Sequence, residues 1–578
     1  MPLYLLYPTT SRATSKGTKM GKLIISVALL LSSAAGQNLT PAQKEADFKY
    51  LVSLYQTHYA PLEWKKQLFG FDALHVEPWL EKVTSAKTDL DFFEVCAEFI
   101  SSLNDTHVQF TLSSDFNAQL GFGVDIYDGV PLIDTINRVL LPASRYPFAI
   151  GDQLVSIDGE DAMALAAKLA KYVPQGNPRA SLRQGAQRLT SRAQSRFPHA
   201  PDLGDTATVI IKRQNGAEES YPIPWTKTGT PLVAGPVPSP KLGVHGRSAI
   251  GPADPLEELR ISGVPLSQQD GVNGYGARNP IFLAGLPSGF TRRLGGETAD
   301  FFYSGVFPFG DYKIGYIRIP NYSPSSQPTA LRQFETEVAF MNENTDGLIV
   351  DEMRNTGGNL CFGEEIVRRL TPYEFRVTGF ELRAFWARVL GFYNAMINAV
   401  ATNQAPDVVA QYELVYKEML AANREGKIVT KALPICTSTL MRQPVLRGDG
   451  APFAYEKPIF LLIDDFSTST ADSVASMLQD SRRALLYGMR TNGAGGNNTT
   501  FDAGVFSEAF VGMTLALQSR KEYVAAEGFP TSLYSENVGV RPDVVNDYMT
   551  TENLLRNGAP FISQFLGAMA EHLGQQRR

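Results

Sequence analysis

From Ala42 to about Leu103, apolar residues recur every three or four positions, in KEADFKYLVSLYQTHY and again in DLDFFEVCAEFISSL. That period predicts helices with one buried face. From Leu120 the pattern shortens to alternation. GFGVDIYDG, PLIDTI, DQLVSIDG and TATVIIKRQNGAEESYPIPW read as strands parted by Gly, Asp and Asn turns, with one helix, AMALAAKLAKYV, among them. Between Thr226 and about Thr298 the periodicity fades into a Gly-, Pro- and Ser-rich stretch, read as a linker or a long exposed loop. So long an insert is unusual inside a compact domain, so it marks a boundary or a functional segment. Beyond it strands and helices alternate: YKIGYIRI, LRQFETEVAFMNEN, GLIVDEM, GEEIVRRL, a long helical insertion from about Tyr373 to Glu425, then PIFLLID and its helix. A last helix is expected from about Asn553 to Leu573. The alternation argues for a layered α/β domain.

Length and charge narrow this picture. At 578 residues the chain exceeds a single core and predicts several domains. Its net charge of −6 and lack of a polybasic tract give no reason to expect nucleic acid or an anionic membrane as partner. Three cysteines (Cys96, Cys361 and Cys436) allow at most one internal disulfide, and no CxxC or HExxH spacing suggests zinc. No cofactor or metal is expected. Near the start, Lys19 and Lys22 precede the apolar run Leu23–Leu31 and then small residues up to Gly36. That order predicts a secretory signal peptide cleaved before Gln37, with Met20 a plausible true start, and the run is too short to span a bilayer. Asn38, Asn104, Asn321 and Asn498 begin glycosylation triplets, which matter only in a eukaryotic host.

Four motifs carry candidate chemistry. In PIFLLIDDFSTSTADSVASMLQD a buried strand meets a polar elbow with Ser467 and Ser469, and then a helix carrying Val474, Met477 and Leu478 inward. Backbone N–H groups at a helix start stabilise an oxyanion, so a serine there suits a nucleophile; equally, Ser and Thr cap helices. Gly357-Gly358 follows the strand GLIVDEM, where glycines bring backbone N–H groups near a ligand or satisfy a tight turn. His107 closes Leu103-Asn104-Asp105-Thr106-His107, and Glu536 lies in SENVGVRPDVV.

In this order, the motifs resemble the catalytic domain of the C-terminal processing (tail-specific) serine peptidase family, and IGDQLVSIDGEDA resembles its PDZ-type domain. The resemblance runs from about Ala42 to Met549, leaving the Gly/Pro-rich middle unmatched. It implies a crotonase/ClpP-like layered catalytic domain and aligns the nucleophile with Ser469. Many members use a lysine base in a Gly-Lys-Gly segment, but Thr491–Gly496 here holds Ala494 at that place. The branch of the chlamydial protease-like activity factor and, more distantly, tricorn protease uses histidine instead, with an Asp-x-His segment matched by Asp105–His107 and a glutamate matched by Glu536. The resemblance therefore implies Ser469 as nucleophile, His107 as general base and Glu536 as orienting carboxylate. The oxyanion falls to the N–H groups of Thr470 and of Gly357 or Gly358.

The domains expected are a signal peptide and upstream extension over 1–36 and a helical region over 37–116. A PDZ-like domain follows over 117–228, then a linker or inhibitory segment over 229–300. The peptidase domain covers 301–550 and a C-terminal helix 551–578. Leu120–Gly123 is either a peptide-carboxylate loop or a turn in a structural module. The functional reading is a secreted or periplasmic serine endopeptidase acting on proteins or peptides, with a homodimer compatible. An inactive ligand- or peptide-binding protein on the same fold is the alternative; an esterase lacks its Gly-x-Ser-x-Gly elbow here. A glycan on Asn104 would crowd His107.

Overall fold

Ile459, Leu461 and Ile463 face one side of their strand and Phe460 and Leu462 the other, and all five are buried. A strand apolar on both faces belongs inside a covered sheet, and that is where the computed structural model, which describes residues 38–232, 254–263 and 274–576, puts it. The sheet has seven strands, in the order Thr291–Leu294, Tyr303–Phe309, Tyr312–Arg318, Gly347–Asp351, Ile459–Ile463, Ala484–Gly488 and Val544–Val545. The first three run antiparallel to one another and the rest continue parallel. Helices Gln327–Asn344, Leu360–Leu370 and Thr470–Asp480 cover one face through Phe334, Val338, Ile366, Val474 and Leu478. Helix Ala559–Gln576 covers the other through Phe561, Phe565 and Met569.

Four helices, Pro41–His58, Leu62–Phe69, Glu77–Ser85 and Asp89–Ser101, make up the region read as helical. Their aromatic faces, Phe48, Phe92, Phe93 and Phe99 among them, share a core with the insertion helices Trp386–Ala401 and Pro406–Arg424. The alternating stretch folds as a sheet in the order Phe122–Tyr127, Val130–Ile136, Gln153–Ile157, Thr206–Lys212 and Glu218–Pro224, packed by helices Ala162–Ala170 and Pro178–Gln187.

The 229–300 stretch is more structured than its composition suggests. It contains helix Pro255–Arg260, the strand Ile261–Gly263 and, in Thr291–Leu294, the outermost strand of the large sheet. Edge strands need little apolar content because one side meets solvent; TRRL carries only one apolar residue, which hid it. The insertion near Tyr373 likewise begins with two short strands, Phe375–Arg376 and Gly379–Leu382, before its helices. Cys361 and Cys436 form a disulfide with Cα atoms 5.3 Å apart, tying the helix after the double glycine to the far side of that insertion; Cys96 is free and buried. The apolar run Leu23–Leu31 lies outside the described residues. Among the described residues no helix is long and apolar enough to cross a membrane, and no cluster of His, Cys, Asp and Glu could hold a metal ion.

Candidate active site

Ser469 sits between the buried strand Ile459–Ile463 and the helix Thr470–Asp480, with φ +66° and ψ −110°. A non-glycine residue there costs about 1–3 kcal/mol and persists only where its surroundings enforce it. Here Asp472 enforces it, accepting the Ser469 backbone N–H at 2.7 Å. The sharp turn lifts the Ser469 side chain off the sheet toward His107, whose Nε2 lies 2.8 Å from Ser469 Oγ. The two residues are 362 positions apart and both fully buried. Ser467, the other serine of the elbow, is structural. Its Oγ donates to the Glu352 carbonyl at 2.7 Å and accepts the Asp464 N–H at 3.0 Å.

Asp105 fixes the His107 main chain, not its ring. One carboxylate oxygen accepts the His107 backbone N–H at 2.8 Å, and the other takes the Tyr59 hydroxyl at 2.7 Å and the Thr514 hydroxyl at 3.0 Å. The second ring nitrogen, Nδ1, has no hydrogen-bond partner. Burial pushes the His107 pKa down to about 4, against the opposing charge of Asp105 and with a further push from Lys65. The imidazole is therefore neutral at neutral pH, with Nε2 able to take the serine proton.

Glu536 does not meet His107 through a hydrogen bond. Its carboxylate pairs with Lys65 and accepts the Gly495 N–H at 2.8 Å, while its main-chain carbonyl accepts from the Trp64 indole at 3.0 Å. Helix Leu62–Phe69 thus grips the C-terminal block by two side chains. Burial drives the Glu536 carboxyl upward, helped by the Asp105 charge and opposed by Lys65 and Gly495.

Thr491–Gly496, where a lysine was sought, works through its backbone. Asp472 accepts the N–H groups of Gly493 at 2.9 Å and Ala494 at 3.1 Å and pairs with the Thr491 hydroxyl. The next N–H, from Gly495, goes to Glu536. One loop therefore ties the nucleophile turn to the glutamate. Burial still pushes Asp472 up, to about 6, despite those donors.

The double glycine follows from its geometry. Gly357 and Gly358 have φ +75° and +147°, and a Cβ on Gly358 would lie 2.4 Å from the backbone of Tyr322. Gly357 donates its N–H to Asn355 Oδ1 at 2.8 Å, and Thr470 donates its hydroxyl to the Gly358 carbonyl at 3.0 Å. Alongside runs Ile261–Gly263, antiparallel to Gly357–Asn359 with Ser262 opposite Gly358. Tyr275 packs on Phe466, and its hydroxyl lies 3.0 Å from Thr468 Oγ1. Asn104 donates its own amide to the Ser102 carbonyl and lines a cavity of about 600 Å³ between the helical region and helix Pro178–Gln187.

Sequence reasoning missed Lys65 and the bracing by Asp472. Nothing in LEWKKQLF separates Lys65 from its neighbour Lys66, which is exposed; only the tertiary fold buries one and not the other.

The state of His107 has a consequence for stability. The free imidazole titrates near 6.5 and the folded one near 4, so its contribution is full above pH 6.5 and lost as pH falls toward 4. In His107→Ala, the stability lost between pH 7 and 4.5 should shrink by about 2–3 kcal/mol. Urea midpoints at the two pH values measure it; an unchanged loss would mean the ring is not held neutral.

Residues 313–545 match the model of peptidase family S41, and residues 116–231 match that of a PDZ domain. An uncharacterized protein of Chlamydia muridarum (strain MoPn / Nigg) is 24% identical over 96% of this chain and 97% of its own length. A protein of Chlamydia trachomatis serovar D is also 24% identical, over 91% of this chain and 92% of its own. Among solved structures, mature CPAF complexed with lactacystin is similar with a TM-score of 0.71 and 21% identity, covering 93% of this chain and 99% of that one. Mature CPAF gives a TM-score of 0.69 at 21% identity, over 91% and 96%. At this identity the likeness is one of fold, and it agrees with the multidomain α/β reading.

Proposed function

Since the chain is a serine-type peptidase, with a peptidase family S41 domain behind a PDZ domain, we propose that it is an exported endopeptidase. In this reading Ser469 is the nucleophile, His107 the base and Glu536 the supporting carboxylate. The observation that carries it is the 2.8 Å approach of His107 Nε2 to Ser469 Oγ on a strained strand-to-helix turn. An unassisted serine is a poor nucleophile near neutral pH, and a neutral imidazole in that contact removes the obstacle. As Ser469 Oγ bonds to the substrate carbonyl carbon, its proton passes to His107 Nε2 and the carbonyl becomes an oxyanion. The N–H groups of Thr470 and of the Gly357-Gly358 turn are the donors assigned to that oxygen in this reading, although the Gly357 N–H is given to Asn355 Oδ1 in this state. His107 then gives the proton to the departing amine, leaving an acyl-enzyme on Ser469. Water repeats the sequence, with His107 again as base, and releases the acid.

The same reading makes the present state a closed one. Ser469 is only 1% exposed, and Ile261–Gly263 already pairs with the strand that would hold a substrate backbone. A substrate added as a strand competes for those main-chain bonds. The 229–300 segment is therefore proposed as inhibitory, to be displaced or cut before turnover. The test is incubation of the purified chain with a peptide substrate, following both by mass spectrometry. A cut within 229–300 that precedes or accompanies peptide cleavage is expected, and none in Ser469→Ala. Peptide cleavage with the segment intact would remove the inhibitory role. No cleavage of any peptide by chain opened with an added protease would favour the ligand-binding alternative.

A further inference from the structure

Among the described residues Lys65 is the lysine that meets the Glu536 carboxylate. Its side chain is wholly buried and its ammonium meets three acceptors: the Glu536 carboxylate, Asn537 Oδ1 at 2.6 Å and the Asn104 carbonyl at 3.1 Å. All three come from the segments that carry His107 and Glu536, and none from the helix that carries Lys65. Burying an ammonium is expensive unless its donors are matched, and here every one is. A structural salt bridge at this depth is commonly replaceable by apolar residues, so stability alone does not account for it.

The pocket around Glu536 supplies little else that is positive. The titratable groups facing it are Lys65 from helix Leu62–Phe69, Asp105 after helix Asp89–Ser101, and Tyr59 at the end of helix Pro41–His58. Asp105 repels a second carboxylate, and the Tyr59 hydroxyl is already given to Asp105. His107 is neutral in this state. The remaining polar support for the Glu536 side chain is one backbone N–H, from Gly495.

Resting on the triad reading above, we propose that Lys65 is a positioning residue for the reaction, acting through Glu536. It fixes that carboxylate and draws it down against the upward push of burial and Asp105, favouring the ionised form that would stabilise the imidazolium when His107 takes the serine proton. Lys65 touches neither substrate nor the reacting atoms. Without it, burial and Asp105 are opposed only by the Gly495 N–H, and Glu536 holds its proton to higher pH.

The experiment compares Lys65→Met, Lys65→Arg, Glu536→Gln and the double variant Lys65→Met/Glu536→Gln. It uses full-length chain opened by processing, with kcat/KM measured from pH 6 to 10. Lys65→Met should lose about 10- to 100-fold at pH 7 and regain much of it at high pH, its rising limb displaced upward by at least one unit. Lys65→Arg should keep most activity and the normal limb. The double variant should be no slower than Glu536→Gln, since the lysine has nothing left to act on. It also removes both buried charges at once, so it can fold even where Lys65→Met does not. A Lys65→Met loss by the same factor at every pH, or a double variant much slower than Glu536→Gln, would overturn the proposal. Glu536→Gln with wild-type activity would instead sink the assignment of Glu536, whatever Lys65 does.

Discussion

Ser469→Ala should lower peptide turnover by about 10⁴- to 10⁶-fold and leave the fold intact. Alanine keeps the Cβ that the φ of +66° already accommodates, and the backbone N–H bond to Asp472 does not involve the lost hydroxyl. The nucleophile disappears together with its contact to His107 Nε2. Ser467 offers no rescue, because its hydroxyl is spent on the Glu352 carbonyl and the Asp464 N–H. His107→Ala should cost nearly as much, and the double variant scarcely more, because a nucleophile and its base fail together. Steady-state kinetics on processed enzyme, with circular dichroism as the fold control, measure this. A Ser469→Ala enzyme within tenfold of wild type would end the assignment.

The second large effect is on stability. Arg183→Met should cost about 3–5 kcal/mol. Arg183 lies on helix Pro178–Gln187 in the PDZ region, wholly buried. Its guanidinium donates to both oxygens of Asp125, at 3.0 and 2.7 Å, and to Asp465 at 2.6 Å, four residues before the nucleophile. It also lies over the rings of Phe466 and Tyr548. Burial pushes Asp125 up, but Arg183 and Arg354 overcome that and hold it below the usual carboxylate range. Removing the guanidinium leaves two buried carboxylates with much of their compensation gone, and each unpaired charge is costly. The sign with pH follows. A carboxyl held low in the native state contributes stability above its unfolded pKa and loses it as pH falls, so the wild type gives up more on acidification than the variant. The deficit should be full at pH 7 and shrink toward pH 4, as read from urea unfolding. A deficit below 1 kcal/mol at pH 7 would show that neighbouring groups, not Arg183, carry these carboxylates.

This network also bears on the PDZ domain. Asp125 sits on the outermost strand of its sheet, and helix Pro178–Gln187 closes over it with Arg183 and Gln187. The same helix reaches Asp465 and Asp547 through Arg179.

Much of the peptidase domain was legible because its strands are buried on both faces and its helices on one, leaving clear periods in the sequence. The elbow serine could be singled out of the Ser467–Ser469 cluster only with help from the order of companion motifs. His107 was legible through Asp105 two residues before it, although Asp105 turns out to bind the histidine backbone. The motif order pointed to Glu536 but nothing pointed to its Lys65 partner, since a buried lysine and an exposed one look alike in LEWKKQLF. Thr291–Leu294 and Ile261–Gly263 escaped for a different reason. Both are short, four and three residues, with one apolar residue each, so neither leaves a two-residue period to read.

Ser469, driven by His107, is the proposed nucleophile. The most direct measurement is to label processed chain with a fluorophosphonate and map the adduct by mass spectrometry. One adduct on Ser469, lost in His107→Ala, is the predicted result. An adduct on Ser467 or another serine, or none in a preparation that still cuts peptides, would contradict it.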